Sequence, residues 1–225
     1  MHIYEVEIKS LLGSKDKAQE LKESLTKNNN LKFLSKGRQL NHYFNTPKDL
    51  DALYNVVLPY TPEEKILSLQ KIIKEGKKVS VRTRESDGKV LFIIKASINE
   101  HSSDNGVSRI EFEIETKGLS LEQLDNLLLK AGLSYQAKWS REREEFQIEN
   151  MHICIDRNAG YGYLAEFELV VDDESLVEQS RKQILDFMKG LGVLELPQDR
   201  LERMFGHYNK HWKEYYGADK TFVVE

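Results

Sequence analysis

The sequence predicts an α+β fold, a closed eight-stranded antiparallel β-barrel with flanking helices. Three observations lead there. About eight segments alternate apolar and polar residues with the period of two of a strand, and four or five others repeat every 3.6 residues. Strand after strand also carries long charged side chains on its second face.

Composition sets the frame. The chain has 225 residues, 40% hydrophobic and 31% charged, so it has the apolar content a folded core needs. Its 33 Lys and Arg against 37 Asp and Glu give a net charge of −4, which excludes a global basic field for nucleic acid. The single Cys154 excludes an intramolecular disulfide and a multi-cysteine zinc site. No apolar run reaches the roughly 20 residues of a membrane span, and Glu5, Glu7 and Lys9 interrupt the place where a signal peptide would be apolar. The expectation is a cytoplasmic protein of one domain, residues 1–225, with no membrane partner.

Tyr4 to Lys9 alternates strictly and reads as a strand with Tyr4, Val6 and Ile8 on one face. Ser14 reads as the N-cap of a helix to about Thr26, ended by Asn28, Asn29 and Asn30. Gln39 to Thr46 is a second strand stopped by Pro47, and Pro62 to Glu75 a helix with Ile66, Leu69, Ile72 and Ile73 on one stripe and Gly76 at its end. Val79 to Glu85, Lys89 to Ala96 and Val107 to Thr116 are strands, the first two joined by a Ser86-Asp87-Gly88 turn and the last preceded by a polar loop, Asn99 to Gly106. Ser120 caps a helix through Lys130, with Glu122 close behind it and Gly132 past its end. Strands follow at Tyr135 to Ile148, His152 to Asp156 and, after a Gly160-Tyr161-Gly162 turn, Tyr163 to Val171; Glu174 to Leu191 and Asp199 to Tyr216 close the chain as amphipathic helices.

The charged faces of these strands are the informative feature. Glu5, Glu7 and Lys9 share a side, as do Arg82 and Arg84, then Arg109, Glu111 and Glu113, then Arg141 and Arg143, then Glu166 and Glu168. A charged row on one antiparallel strand ordinarily faces water. Here several strands carry like charges at i and i+2, about 6.7 Å apart, and these repel unless a counter-ion sits between them. With the apolar faces under helices and the ionic faces turned inward, a barrel would enclose seven basic side chains (Lys9, Arg82, Arg84, Lys95, Arg109, Arg141, Arg143) and six acidic ones. Such a lining suits a polyanion gripped by guanidinium groups and one or two hard cations, Mg²⁺ or Mn²⁺, on the carboxylates.

The rows resemble the CYTH superfamily of triphosphate tunnel metalloenzymes, which includes class IV adenylate cyclases, thiamine triphosphatases and inorganic tripolyphosphatases. The resemblance rests on an E-x-E-x-K strand at Glu5 to Lys9, Tyr43-Phe44-Asn45-Thr46, Arg82-Thr83-Arg84, a lone Lys95, Arg109 to Glu113, Arg141-Glu142-Arg143 with Phe146, and Ile153 to Asp156 followed by Gly160 to Glu168. These matches keep the family's order over a core of about residues 3–171, leaving C-terminal helices of about 174–216 outside it. The Lys48 to Lys78 segment is longer than the family pattern, the Met204 to Glu225 tail is an extension, and Arg141 stands where Lys is more usual.

The resemblance implies an enzyme acting on a small-molecule triphosphate. Lys9, Arg82, Arg84, Lys95, Arg109, Arg141 and Arg143 would bind phosphate, and Glu5, Glu7, Glu111, Glu113, Glu166 and Glu168 would hold Mg²⁺ or Mn²⁺ directly or through their neighbours. Lys9 and Arg84 would be the catalytic pair, with Lys9 orienting or deprotonating the attacking group. Hydrolysis is the first reading, adenylate cyclisation the second and a non-catalytic polyphosphate or nucleotide binder the third; a homodimer is left open. Tyr43 and Arg38, flanking a matched strand, are candidates for contact with an organic head group. Four other signals read as structure: His207 and His211 as an amphipathic helix face, the Gly160 to Gly162 segment as a turn, Cys154 as core, and His42 as a structural histidine.

Overall fold

The computed structural model describes residues 4–46, 50–97 and 109–224. Eight strands, β1 (Tyr4–Gly13), β2 (Leu31–Asn45), β3 (Lys77–Ser86), β4 (Lys89–Ser97), β5 (Arg109–Glu115), β6 (Ser134–Ile148), β7 (Met151–Asn158) and β8 (Gly162–Val171), are joined in the order β1-β8-β7-β6-β2-β3-β4-β5. The helices are α1 (Lys15–Leu25), α2 (Asp51–Val57), α3 (Ile66–Glu75), α4 (Leu121–Lys130), α5 (Val177–Gly190) and α6 (Gln198–Tyr215). The α+β class and the antiparallel ladders are as the sequence predicts; the closed barrel is not. Strands β1 and β5 stand at the two ends of the order, β1 paired with β8 and β5 with β4, and no ladder joins them among the described residues. Alternation identifies two faces of a sheet. Closure depends on tilt and register stagger, which alternation does not encode, so an open sheet satisfies the same pattern.

The described chain divides into two compact units, one holding the residues up to Arg38 and from Ser140 onward, the other those from Gln39 to Trp139. In the first, α1 and α5 lie against β1 and β8. Ala18, Leu21 and Leu25 from α1 and Ile184 and Met188 from α5 bury themselves on Val6, Ile8, Ile153, Ile155, Ala165, Phe167 and Leu169. The Cα register matches Val6 with Leu169 and Ile8 with Phe167, so one face of these strands is continuous apolar surface. Ser14 caps α1 by accepting from the Lys17 amide at 3.2 Å.

In the second unit, α2, α3 and α4 cover Val81, Phe92, Ile94, Phe112 and Ile114 with Leu53, Val57, Leu69, Ile72, Leu124 and Leu128. Ser120 and Gln123 close a reciprocal capping box at the start of α4, with Gln123 rather than the neighbouring Glu122 as the returning side chain. The 87–88 turn has positive φ at Asp87 (51°) and Gly88 (75°), the primed geometry a two-residue hairpin needs.

Two segments escape the periodicity reading. β2 begins at Leu31, eight residues before Gln39, and α2 occupies 51–57 where no helix was expected. The Asn99 to Gly106 loop lies outside the described residues. No described helix is long and apolar enough to cross a membrane.

Candidate functional site

In the first unit, the face opposite the helices is built in rows by antiparallel register. Glu7 stands opposite Glu168, which stands opposite His152; Lys9 stands opposite Glu166, which stands opposite Cys154, which stands opposite Glu145; Asp156 stands opposite Arg143. Directly opposed residues share a face. The structure therefore brings together Glu5, Glu7, Lys9, Arg141, Arg143, Glu166 and Glu168, seven of the residues the sequence singles out.

Lys9 contacts Glu7 through a hydrogen bond and lies 3.7 Å from Glu166. Arg143 reaches Glu166 as well, and its fork meets Asp156 through Nε to Oδ1 and NH2 to Oδ2, each 2.7 Å. Arg141 NH1 donates to Asp156 Oδ2 at 3.1 Å. Asp156 is fully buried, so two arginines and one carboxylate form a fixed frame with their guanidinium planes set by the sheet. Burial works against the charge on Glu166, yet Lys9, Arg143 and Arg141 hold its carboxyl well below the ordinary range. Burial likewise opposes the charge on Lys9, and Glu166 and Glu7 outweigh it, raising the ammonium.

The second unit has its own charged cluster. Lys95 stands opposite Glu111 and bonds it at 2.7 Å; Arg82 NH2 lies 3.7 Å from Glu111, and Arg84 NH1 lies 4.0 Å from Glu113. Arg84 Nε donates to Asn41 Oδ1 at 2.8 Å, and Arg82 NH1 donates to the Tyr43 hydroxyl at 3.1 Å. Arg82 Nε is a buried donor with no partner among the described residues. Leu91 and Ile93 share this face by register, opposite Arg84 and Arg82, and Ile93 is fully buried without joining the core under the helices. Arg109 lies on β5 opposite Ser97. Arg38 belongs to the first unit, where with Arg141 and Arg157 it lines a cavity of about 360 Å³.

Sequence reasoning missed three parts of these faces. Asp156 was legible as the terminal residue of the Ile153 to Asp156 motif. Cys154 is buried, as the core reading expects, but on the charged face between Glu145 and Glu166, because its apolar neighbours Ile153 and Ile155 point the other way. His152 and Glu145 are hydrogen bonded at 3.1 Å and carry no pattern a single sequence reveals. His42 is structural as expected: its Nδ1 sits 2.6 Å from the buried Asp125 on the helix-covered side. His207 and His211 stack at 4.6 Å between ring centroids, with His207 also against Tyr215 and Phe222.

The carboxylates fit a hard cation by donor type. Glu7 and Glu168 oppose each other directly in register, with Glu5 two residues away on the same side, and Lys9 offsets part of their repulsion through its contact with Glu7.

No curated protein matches the chain. Among solved structures, a conserved hypothetical protein of Pyrococcus furiosus is 18% identical, with 87% of this chain and 93% of that one covered at a TM-score of 0.59. A "putative adenylate cyclase" of Vibrio parahaemolyticus is 16% identical over 92% and 99% of the two chains, TM-score 0.61. A "putative adenylyl cyclase" of Hippeastrum, described as having a dominant triphosphatase activity, is 15% identical over 90% and 95%, TM-score 0.53. Identities this low establish likeness of fold. The CYTH domain family profile matches residues 68–200, from α3 through the start of α6, which takes in β3 to β8 but not β1 with Glu5, Glu7 and Lys9, and the chain belongs to the CYTH domain family.

Proposed function

We propose that the protein hydrolyses a triphosphate-bearing small molecule, tripolyphosphate or a nucleoside or thiamine triphosphate, in the cytoplasm and with Mg²⁺ or Mn²⁺. The observation that carries this reading is the opposition of Glu7 and Glu168 on a face that also presents Lys9, Arg141 and Arg143. Glu5, Glu7 and Glu168, which share one side of the β1–β8 pair, are the residues that would hold the cation. When bound, the cation supplies charge neutralisation at the phosphate oxygens and polarises the attacked phosphorus and a water.

The chain's own residues do the rest. Arg143, held by Asp156, and Arg141 offer guanidinium groups to phosphate oxygens at fixed orientation, and Lys9 adds a cation between Glu7 and Glu166. In the second unit, Arg82, Arg84 and Lys95 serve the same purpose, and the unpartnered Arg82 Nε is a donor in want of an acceptor such as a phosphate oxygen. The family resemblance adds Arg109 to this set.

The description of the Hippeastrum protein favours hydrolysis, and that of the Vibrio protein favours cyclisation. The test is incubation of the purified protein with tripolyphosphate, ATP and thiamine triphosphate, with Mg²⁺ or Mn²⁺, reading phosphate, pyrophosphate and cyclic AMP separately. Phosphate release is expected. Pyrophosphate with cyclic AMP would select the cyclase instead, and binding without turnover a binder. Glu7→Gln and Arg84→Ala should each lose turnover with an unchanged circular dichroism spectrum; wild-type rates in either would count against the assignment.

A further inference from the structure

Glu145, His152 and Cys154 converge on the charged face of the first unit. His152 Nδ1 lies 3.8 Å from Cys154 Sγ and His152 Nε2 lies 3.1 Å from Glu145 Oε2. One donor atom from each of the three lies within 4.8 Å of the other two. Cys154 is buried while His152 and Glu145 are half-buried, so the group opens toward the charged face with its thiol at the back.

The three donors differ in kind from the all-oxygen set of Glu5, Glu7 and Glu168. A thiolate, an imidazole and one carboxylate match a borderline-soft ion, whereas Mg²⁺ and Mn²⁺ take oxygen. Bonds of about 2.0–2.3 Å set tetrahedral zinc ligands about 3.3–3.7 Å apart. His152 can give an ion only one of its nitrogens, Nδ1 on the Cys154 side or Nε2 on the Glu145 side, so one of these spacings serves as it stands and the remaining edges, within 4.8 Å, close by side-chain rotation. Neighbouring charges leave the position available: Glu166, beside Cys154 in register, is engaged by Lys9 and Arg143.

We propose that Glu145, His152 and Cys154 form a binding site for Zn²⁺ or a like thiophilic divalent cation, separate from the carboxylates proposed for Mg²⁺ or Mn²⁺. As the metal–sulfur bond forms, the Cys154 thiol gives its proton to solvent and binds as thiolate, leaving one coordination position open for water. His152 stands beside Glu168 across the β7–β8 ladder, so this cation would sit next to the oxygen-donor set.

The test uses the full-length protein in excess Mg²⁺, titrated with Zn²⁺ by calorimetry and with Co²⁺ by absorbance. Stoichiometric binding is expected, with a thiolate-to-cobalt charge-transfer band that disappears in Cys154→Ser. Cys154→Ser, His152→Ala and Glu145→Gln should each weaken Zn²⁺ by about 10–100-fold or more, and Glu7→Gln should leave it unchanged. Circular dichroism of each variant confirms the fold. Absence of the cobalt band in the unsubstituted protein, Zn²⁺ affinity that survives Cys154→Ser, or affinity lost on Glu7→Gln would overturn the proposal. None of these readouts depends on turnover, so failure here is distinguishable from failure of the hydrolase reading.

Discussion

Arg143 serves two carboxylates at once, the buried Asp156 through a two-bond fork and Glu166 through the same terminal nitrogen. Removing it as Arg143→Ala leaves Asp156 with Arg141 and Glu166 with Lys9, a buried acid pair short of one cation. The expected cost is about 3–5 kcal/mol in urea denaturation, the range for breaking a buried pair from one side. Arg143→Lys keeps the charge but not the planar fork, so stability should fall less while activity still drops at least about tenfold. Wild-type stability and activity in Arg143→Lys would show that Arg143 acts through charge alone. The arginines themselves are legible in the sequence as an alternating row. Asp156, which aims them, is legible as the end of the Ile153 to Asp156 motif, but its role is found only once register places it opposite Arg143.

At the scale of elements, the second unit joins α4 to the sheet through polar groups as well as apolar ones. Asp125 on α4 receives His42 at 2.6 Å, Thr83 at 2.6 Å and Tyr135 at 2.7 Å. Burial opposes the Asp125 charge, and the bonds from His42, Thr83 and Tyr135 outweigh it, holding the carboxyl below its ordinary value. A carboxyl depressed on folding stabilises the protein above its unfolded pKa and loses that contribution as pH falls through the folded one. Asp125→Asn should therefore cost about 1–3 kcal/mol at neutral pH, and the gap to wild type should shrink as the medium is acidified below about pH 4. Chemical denaturation at a series of pH values reads both; a gap independent of pH would show the network holding through hydrogen bonds to a neutral acid. The apolar stripes of α1, α3, α4 and α5 were legible because a two-sided helix repeats cleanly. α2 was not, since seven residues give too few turns for a period to register, and the first half of β2 was not, because residues 32–36 are exposed and mix both polarities on both sides.

Across the whole molecule, the same alternation that revealed the charged faces misled on closure. A strand needs one hydrophobic face whether its sheet is open or closed, so the residue pattern constrains pairing and leaves the edge question to strand stagger. What survives the correction is the face: the described candidates lie in one cluster in each compact unit, each cluster carrying both signs. A polyanion bound with its cation stabilises the native state by mass action, about 2.7 kcal/mol at a hundred times the dissociation constant. For a chain of this size that corresponds to a rise of about 5–10 °C in melting temperature. Tripolyphosphate with Mg²⁺ should produce such a shift in a thermal melt, and the shift should shrink with added salt as the exposed part of the attraction is screened. Glu7→Gln should remove the part that depends on Mg²⁺, whereas Arg141→Ala, in the same cluster, should weaken binding of tripolyphosphate with or without it. A melt indifferent to tripolyphosphate at saturating Mg²⁺ would mean that these charges neutralise one another in the native protein and leave no net attraction for an anion.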